Sequence, residues 1–246
     1  MYWEVANEYY KKTVDNDIDP AMAMADFGMR GMSCMEESVR ASAAWLLSFD
    51  KTSTIPATVY VDEMYHADCE KNRLGRGAVS TEHSVAGANY AVDGDEITFI
   101  KRLLTELYPN HNGKLLVRPD SGNIVEISVK TVQKLWDTFG GTINSKGYKV
   151  LDPHIGIIYG DGCTLERVKE IWRQLEELGF AANCITFGVG AFCFTAIFED
   201  DHMIVLTRDT FGIAMKATYG VIDGKEYFIY KDPKTDTDHL KKSHKG

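Results

Sequence analysis

The sequence has no close cysteine pair, no excess of basic residues and no long apolar run, and each absence excludes a class of protein. The five cysteines are scattered without a CxxC pair, so neither a disulfide framework nor a zinc knuckle is expected. Lys and Arg number 27 against 36 Asp and Glu, and the net charge of −9 argues against a broad nucleic-acid-binding surface. The longest apolar run, residues 184–198, contains two glycines and is shorter than the roughly 18 residues that a membrane span needs.

The chain begins with MYWEVANEYYKK, which mixes acidic, basic and aromatic residues and lacks the basic-then-apolar order of a signal peptide. Together with the unpaired cysteines this predicts a cytoplasmic protein without nucleic-acid or membrane partners. A length of 246 residues and a hydrophobic content of 44% are typical of a globular protein. We expect one domain over residues 1–246, with a polar tail from about residue 231.

Helix-capping and helix-terminating residues, together with apolar residues at a 3.6-residue period, predict four helices. One is capped by Ser33, with Glu36 three residues later, and runs to Leu47; another runs from Asp95 to Leu107. A third carries apolar residues from Val129 to Phe139, and a fourth is capped by Thr164 and stopped by Gly179.

Short apolar runs at 115–117, 155–159, 184–187 and 204–207 predict buried strands between these helices. Strands that alternate with helices favour an α/β fold with a parallel sheet, either a closed barrel or open. RPDSG, GDG and GVG follow the first three strands, and loops after the carboxyl ends of parallel strands hold ligands in such folds. The sequence therefore predicts one anion site formed by three loops.

Gly160 and Asp161 belong to the GDG turn before the Thr164 helix, where backbone N–H groups and the helix dipole favour an anion. A plain tight turn explains this triplet equally well. Gly190, in the GVG triplet after the next strand, is open to the same alternative, since glycine also permits close backbone packing.

Arg118 and Asp120 present a guanidinium and a carboxylate two residues apart at a strand end, which suits an anion beside a sugar hydroxyl or metal. A structural Arg–Asp pair is the alternative. His83 lies in the polar segment STEHS beside a carboxylate, although a surface histidine also fits this position. Phe27 and Arg30, in DFGMRG, supply an aromatic ring and a cation, or simply a core Phe and a solvated Arg.

Taken together and in order, these segments resemble the nicotinamide phosphoribosyltransferases within the nicotinate/nicotinamide phosphoribosyltransferase family. The resemblance extends from position 26 to 246. It lies in DFGMRGMSCMEES, VSTEHS, LLVRPDSGN, NSKGYKVLDPHIGIIYGDGC, FGVGAF, TRDTFGIAMKAT and KDPKTD. It implies an incomplete TIM-barrel-type, type II phosphoribosyltransferase domain.

The resemblance also implies roles for individual residues. Phe27 would stack on the nicotinamide ring, and Asp120 would hold the ribose or amide side. The pyrophosphate side of phosphoribosyl pyrophosphate would be lined by Arg30, His83 and Arg118. The nucleotide and its 5′-phosphate would be bound by Gly160, Asp161, Gly190 and Arg208, with Lys216 and Lys231 nearby. In the family His83 corresponds to a histidine that ATP phosphorylates.

The implied activity joins nicotinamide to phosphoribosyl pyrophosphate, which gives nicotinamide mononucleotide and pyrophosphate in NAD biosynthesis. The implied catalytic residues are His83, Asp120 and Arg118. Mg²⁺ would arrive with phosphoribosyl pyrophosphate, ATP would be an activating co-substrate, and no resident metal is expected. The implied assembly is a homodimer.

The chain departs from the family pattern in several places. It lacks the large region that precedes DFG in the family and one internal strand–helix unit after Tyr108-Pro109. Ser53 replaces a family aspartate that contacts the amide of nicotinamide, and Ala191 replaces a family glycine. Two alternatives therefore stand: an enzyme that uses nicotinate, and an inactive fragment or paralogue that binds nucleotide or a partner subunit.

Overall fold

The computed structural model describes residues 1–77, 96–102, 104–105, 113–119, 122–190, 194, 196–199, 202–205 and 219–228. Contacts between residues group the chain into two compact units. Unit 1 comprises Met1–Gly77 and Lys114–Gly212, and unit 2 comprises Ala78–Gly113 and Ile213–Gly246. The single domain over residues 1–246 stays a prediction, and the polar tail from residue 231 lies outside the described residues.

Unit 1 contains five described α-helices, which are α1 (Tyr2–Thr13), α2 (Met35–Trp45), α3 (Ile55–Tyr65), α5 (Ile124–Phe139) and α6 (Leu165–Glu177). The caps follow from residue chemistry. The Asn123 carboxamide accepts from the N–H groups of Val125 and Glu126 at the start of α5, and the Thr164 hydroxyl accepts from the N–H of Arg167 in α6. Acidic residues in both first turns complement the helix dipole.

A five-stranded parallel sheet forms the centre of unit 1. Its strands are β1 (Met24–Phe27), β2 (Lys51–Thr52), β3 (Leu115–Val117), β6 (Ile155–Tyr159) and β7 (Ile185–Gly190). The spatial order is β2-β1-β7-β6-β3, and every neighbouring pair is parallel. A further parallel bridge joins Lys51 to Arg76. The strands therefore follow the chain around an arc, and β7 pairs with β1.

Pairing of the last parallel strand with the first is the arrangement of a βα-barrel. The α/β class with a parallel sheet, predicted from the sequence, is therefore confirmed. Two-stranded antiparallel pairs accompany the sheet: β4 (Gly141–Ile143) with β5 (Lys149–Leu151), and β8 (Ala196–Glu199) with β9 (His202–Val205).

The centre of the core lies between α1, α6 and β7. Trp172 is 1% exposed, and its ring centroid lies 5.4 Å from that of Tyr9 and 5.1 Å from that of Phe187. Tyr10 approaches the same indole edge-on, and the indole N–H donates to the carbonyl of Ala182 at 3.1 Å. This indole therefore links the N-terminal helix to the sheet.

Three sequence predictions for the elements need correction. Residues 202–205 lie in an antiparallel pair rather than in a further parallel strand at 204–207. The second helix is capped by Cys34, not Ser33, because the Cys34 sulfur accepts from the N–H of Glu37 while the Glu37 carboxylate accepts from Ser33. That helix ends at Trp45 instead of Leu47.

The α6 prediction is confirmed, and the third predicted helix is confirmed with an earlier start, at Ile124. The strands at 115–117 and 155–159 are also confirmed. In unit 2 the described elements are α4 (Glu96–Arg102) and the antiparallel pair of β10 (Tyr219–Ile222) with β11 (Lys225–Phe228). Leu107, the predicted end of α4, lies outside the described residues. No helix within the described ranges is long and apolar enough to cross a membrane.

Alkaline pH is expected to destabilise the protein through Cys184, which is 2% exposed and whose thiol donates to the carbonyl of Lys149 at 3.4 Å. Burial raises the pKa of this thiol to about 11 from its ordinary value of 9.0. The unfolded thiol loses its proton first, so the free energy of unfolding falls as the pH rises from about 9 towards about 11.

The measurement is urea unfolding at about pH 8 and about pH 10.5, for the wild type and for Cys184→Ala. The wild type should lose more stability between the two pH values than the variant, which retains every other alkaline group. Equal losses would show that the buried thiol contributes nothing to the alkaline transition.

Candidate functional site

The carboxyl ends of four parallel strands bring several predicted site residues to one rim of unit 1. Phe27 ends β1, Gly190 ends β7, Arg118 follows β3 and Gly160 follows β6. Phe27 and Gly190 are partners in the strand register. The strand order brings these residues to one rim, as the sequence predicts, but GVG lies within β7 rather than in a loop after it, because the strand continues to Gly190. The anion site itself stays a prediction.

Phe27 lies on a surface made by two glycines. A Cβ atom added to Gly188 would collide with Cδ2 and Cε2 of the Phe27 ring, and it would lie 3.1 Å from Cα of Gly160. A Cβ at Gly160 would lie 2.9 Å from Cε2 of the same ring. Only glycine at these two positions lets the ring occupy this place. The half-buried ring thus forms a platform inside the rim.

The guanidinium of Arg118 lies over this platform, with its central carbon 5.4 Å from the centroid of the Phe27 ring. That distance fits a cation–π contact, which is attractive because the ring face is electronegative. Arg118 is exposed, so an anion from solvent can reach its guanidinium. A cation and an aromatic ring therefore lie next to each other at the rim.

The GDG turn lies between β6 and α6 on the same rim. Gly162 has φ +59°, a value that favours glycine, and Asp161 is exposed in the turn. The Arg167 side chain donates to the carbonyl of Gly162 at 2.9 Å, which places a second guanidinium against the turn. The turn leads directly into the N-terminus of α6, where an anion is stabilised.

Ser53 follows β2 and is exposed on the rim beside β1. Its N–H donates to the carbonyl of Asp26 at 2.9 Å, so its backbone is fixed next to the strand that carries Phe27. Arg30 lies in the 3₁₀ turn Met29–Gly31 directly after Phe27 and Gly28. The remaining predicted site residues lie outside the described residues: His83, Asp120, Ala191, Arg208, Lys216 and Lys231.

Sequence reasoning missed three contributors to this rim. Gly188 is one residue of the short GVG triplet, which gives no sign that it lies against Cδ2 and Cε2 of the Phe27 ring. Arg167 belongs to an amphipathic helix, and nothing in the sequence shows that its guanidinium reaches back to Gly162. Asp26 precedes Phe27, and its buried carboxylate accepts hydrogen bonds from several elements. Short motifs do not reveal which residues of different strands and helices lie side by side, and the roles of these three residues depend on that information.

A parallel βα arc that carries an aromatic ring, a guanidinium and glycines at its carboxyl rim is typical of a barrel-like α/β protein with a candidate ligand site at that rim. The sequence model of the nicotinate phosphoribosyltransferase (NAPRTase) family matches residues 99–246. The chain belongs to this family.

The curated relatives agree with this assignment. The chain is 31% identical to a nicotinamide phosphoribosyltransferase of Acinetobacter baylyi over 100% of this chain and 55% of that protein. It is also 31% identical to a nicotinamide phosphoribosyltransferase of Mycoplasma pneumoniae over 93% of this chain and 54% of that protein. The chain thus spans about half the length of the curated relatives it matches.

A solved structure, the nicotinate phosphoribosyltransferase of Porphyromonas gingivalis, has a TM-score of 0.51 with this chain. The match covers 94% of this chain and 57% of the other, at 14% sequence identity. This likeness concerns the fold, and it agrees with the parallel arc described above.

Proposed function

We propose that this chain supplies the barrel part of a nicotinamide phosphoribosyltransferase, which makes nicotinamide mononucleotide and pyrophosphate from nicotinamide and phosphoribosyl pyrophosphate. The observation that carries the proposal is the Phe27 ring resting on Gly160 and Gly188 with the Arg118 guanidinium over it. The names and identities of the curated relatives support the choice of substrates. NAD biosynthesis is the pathway that such a product enters.

In the proposed reaction the pyridine nitrogen of nicotinamide attacks the anomeric carbon of the ribose. A carbon–nitrogen bond forms, the bond from that carbon to pyrophosphate breaks, and pyrophosphate leaves with the electron pair. The attacking nitrogen carries no proton, so positioning rather than a general base is required. Phe27 would hold the flat ring by stacking, and Arg118 would stabilise the charge that develops on the leaving group.

The other assignments remain proposals that rest on the family resemblance. Asp120 would stabilise the cationic ribose, and Gly160, Asp161 and Gly190 would contact the nucleotide. The 5′-phosphate and pyrophosphate regions would include Arg30, Ala191, Arg208, Lys216 and Lys231. Mg²⁺ would enter as part of the phosphoribosyl pyrophosphate substrate. ATP would phosphorylate His83, and the assembly would be a cytoplasmic homodimer.

A second candidate is a chain that binds the nucleotide without turnover, because it spans about half the length of its relatives. The test is incubation with phosphoribosyl pyrophosphate, Mg²⁺ and either nicotinamide or nicotinate, with and without ATP, followed by mass spectrometry. Nicotinamide mononucleotide is the expected product. Nicotinate mononucleotide would change the substrate, and binding of nicotinamide mononucleotide without turnover would favour the second candidate.

Two substitutions should distinguish the residue that binds the nicotinamide base from the residue that binds the pyrophosphate anion. Phe27→Leu keeps apolar volume but removes the aromatic face, and loss of stacking worth about 1–3 kcal/mol should weaken nicotinamide binding about 5-fold to 150-fold. Arg118→Gln should weaken pyrophosphate binding by at least about tenfold, because charge-assisted hydrogen bonds are lost. Isothermal titration with each ligand measures both effects.

The matched control is Arg173→Gln, since Arg173 is an arginine on α6 engaged with Glu170 and Glu177 away from the rim. It should leave both affinities unchanged. If Arg118→Gln behaves like this control, Arg118 does not bind the anion, and the assignment of the leaving-group side is wrong.

A further inference from the structure

Asp26 is a buried carboxylate directly before the aromatic platform, and it contacts residues from several elements. Only 1% of it is exposed. Its Oδ2 accepts from the hydroxyls of Ser42 at 2.5 Å, Thr52 at 2.6 Å and Thr54 at 3.3 Å. Ser42 lies on α2, Thr52 ends β2 and Thr54 caps α3. One carboxylate oxygen therefore ties together two helices and the edge strand.

The other carboxylate oxygen controls the turn that follows β1. Oδ1 of Asp26 accepts from the N–H of Gly28 at 2.7 Å, which is the Asx-turn pattern in which a side chain fixes the backbone two residues on. The residue between these two partners is Phe27. The carboxylate of Asp26 therefore fixes the backbone immediately after Phe27.

Asp26 also reaches the loop after β2 through its backbone. Its carbonyl accepts from the N–H of Ser53 at 2.9 Å. The loops that carry Phe27 and Ser53 thus share one anchor. An ionised buried group is costly unless its oxygens accept hydrogen bonds, and here four donors provide them. Such a network holds one arrangement of the rim rather than several.

The strand alternation separates the anchor from the platform. Asp26 faces the helices that carry Ser42 and Thr54, whereas Phe27 faces Gly160 and Gly188 on the opposite side of the strand. The carboxylate lies outside the base site, so it acts on a bound ring only through Phe27.

We propose that Asp26 is a positioning residue that fixes the Phe27 ring for a planar nitrogenous base, without itself touching the ligand. This inference rests on the proposed function, because it assumes that nicotinamide stacks on Phe27. It predicts that loss of the anchor impairs the base side of the site and spares the anion side, where Arg118 follows a different strand.

The test is Asp26→Asn, which keeps the side-chain volume but removes the charge that strengthens the hydrogen bonds. Titration of the full chain should show nicotinamide binding weakened about tenfold, with inorganic pyrophosphate binding changed by less than about twofold. A purely structural role would lower both affinities together by reducing the folded fraction. Thr52→Val removes one donor and should give the same split with a smaller amplitude.

The matched control is Asp50→Asn, because Asp50 is a buried carboxylate at the opposite end of β2 and pairs with Arg76. It should leave nicotinamide affinity at the wild-type value. Should Asp26→Asn fail to fold, the Thr52→Val result decides. If the wild type binds nicotinamide and the variants bind it with the same affinity, the positioning role alone is wrong. If the wild type binds no nicotinamide, the proposed function is wrong and this inference fails with it.

Discussion

A methyl group at position 188 is expected to weaken nicotinamide binding in a chain that otherwise folds. In Gly188→Ala the new Cβ would overlap Cδ2 and Cε2 of Phe27 and lie 3.1 Å from Cα of Gly160. The overlap falls on the side-chain ring, so the Phe27 ring is expected to move. A displaced ring loses its stacking contact with the base, worth about 1–3 kcal/mol, which corresponds to about a 5-fold to 150-fold loss of affinity.

Two further glycine-to-alanine substitutions serve as comparisons for the Gly188→Ala result. In Gly190→Ala the new Cβ would lie 3.3 Å from the carbonyl oxygen of Phe27 and away from its ring, so a smaller loss is expected. Gly113→Ala is the control, because nothing lies within 4 Å of its added Cβ. Titration with nicotinamide ranks the three variants. Full affinity in Gly188→Ala would show that the ring does not carry the base.

The largest effect on stability is expected at Trp172, where truncation to alanine should lower the free energy of unfolding by about 3–5 kcal/mol. The indole is 1% exposed and contacts Tyr9, Tyr10 and Phe187. Its removal leaves a cavity where α1, α6 and β7 meet, and it leaves the carbonyl of Ala182 without this donor.

Urea unfolding followed by circular dichroism measures the loss. Trp3→Ala is the matched control, since Trp3 is 36% exposed and its truncation should cost far less. Trp172→Phe should fall between the two because it refills part of the volume but lacks the N–H donor. If Trp172→Ala and Trp3→Ala cost the same, the core is not centred on Trp172.

Helices and strands that are bounded by capping or terminating residues could be predicted from the sequence. Helix α6 has a threonine cap, apolar residues at helical spacing and a terminal glycine, and the structure places it at Leu165–Glu177. Strand β1 was missed because four residues, MADF, show neither clear alternation nor a long apolar run. Helix α1 was missed because its aromatic residues obscure the period, although Val5, Ala6, Tyr9 and Tyr10 form its buried face.

The segments that form the candidate site could be predicted from the sequence, but the contacts between their residues could not. Gly160 and Gly190 were expected near an anion, whereas their contact with Phe27 depends on the register of β1 with β7. The hydroxyl partners of Asp26 lie 16, 26 and 28 residues away in sequence. Local periodicity carries no information about pairs so far apart, so Asp26 was seen only as part of a motif.

The pairing of β7 with β1 also constrains the order in which the parallel sheet can form during folding. Met24 and Phe187 are register partners, so β1 can pair with β2 early but lacks its second neighbour, β7, until most of unit 1 has been synthesised. Contacts of such long sequence separation are slow to form, because the intervening chain must be closed into a loop first. The base platform is therefore completed late during folding, and a ribosome-bound chain that ends before β7 lacks Gly188 beside the Phe27 ring.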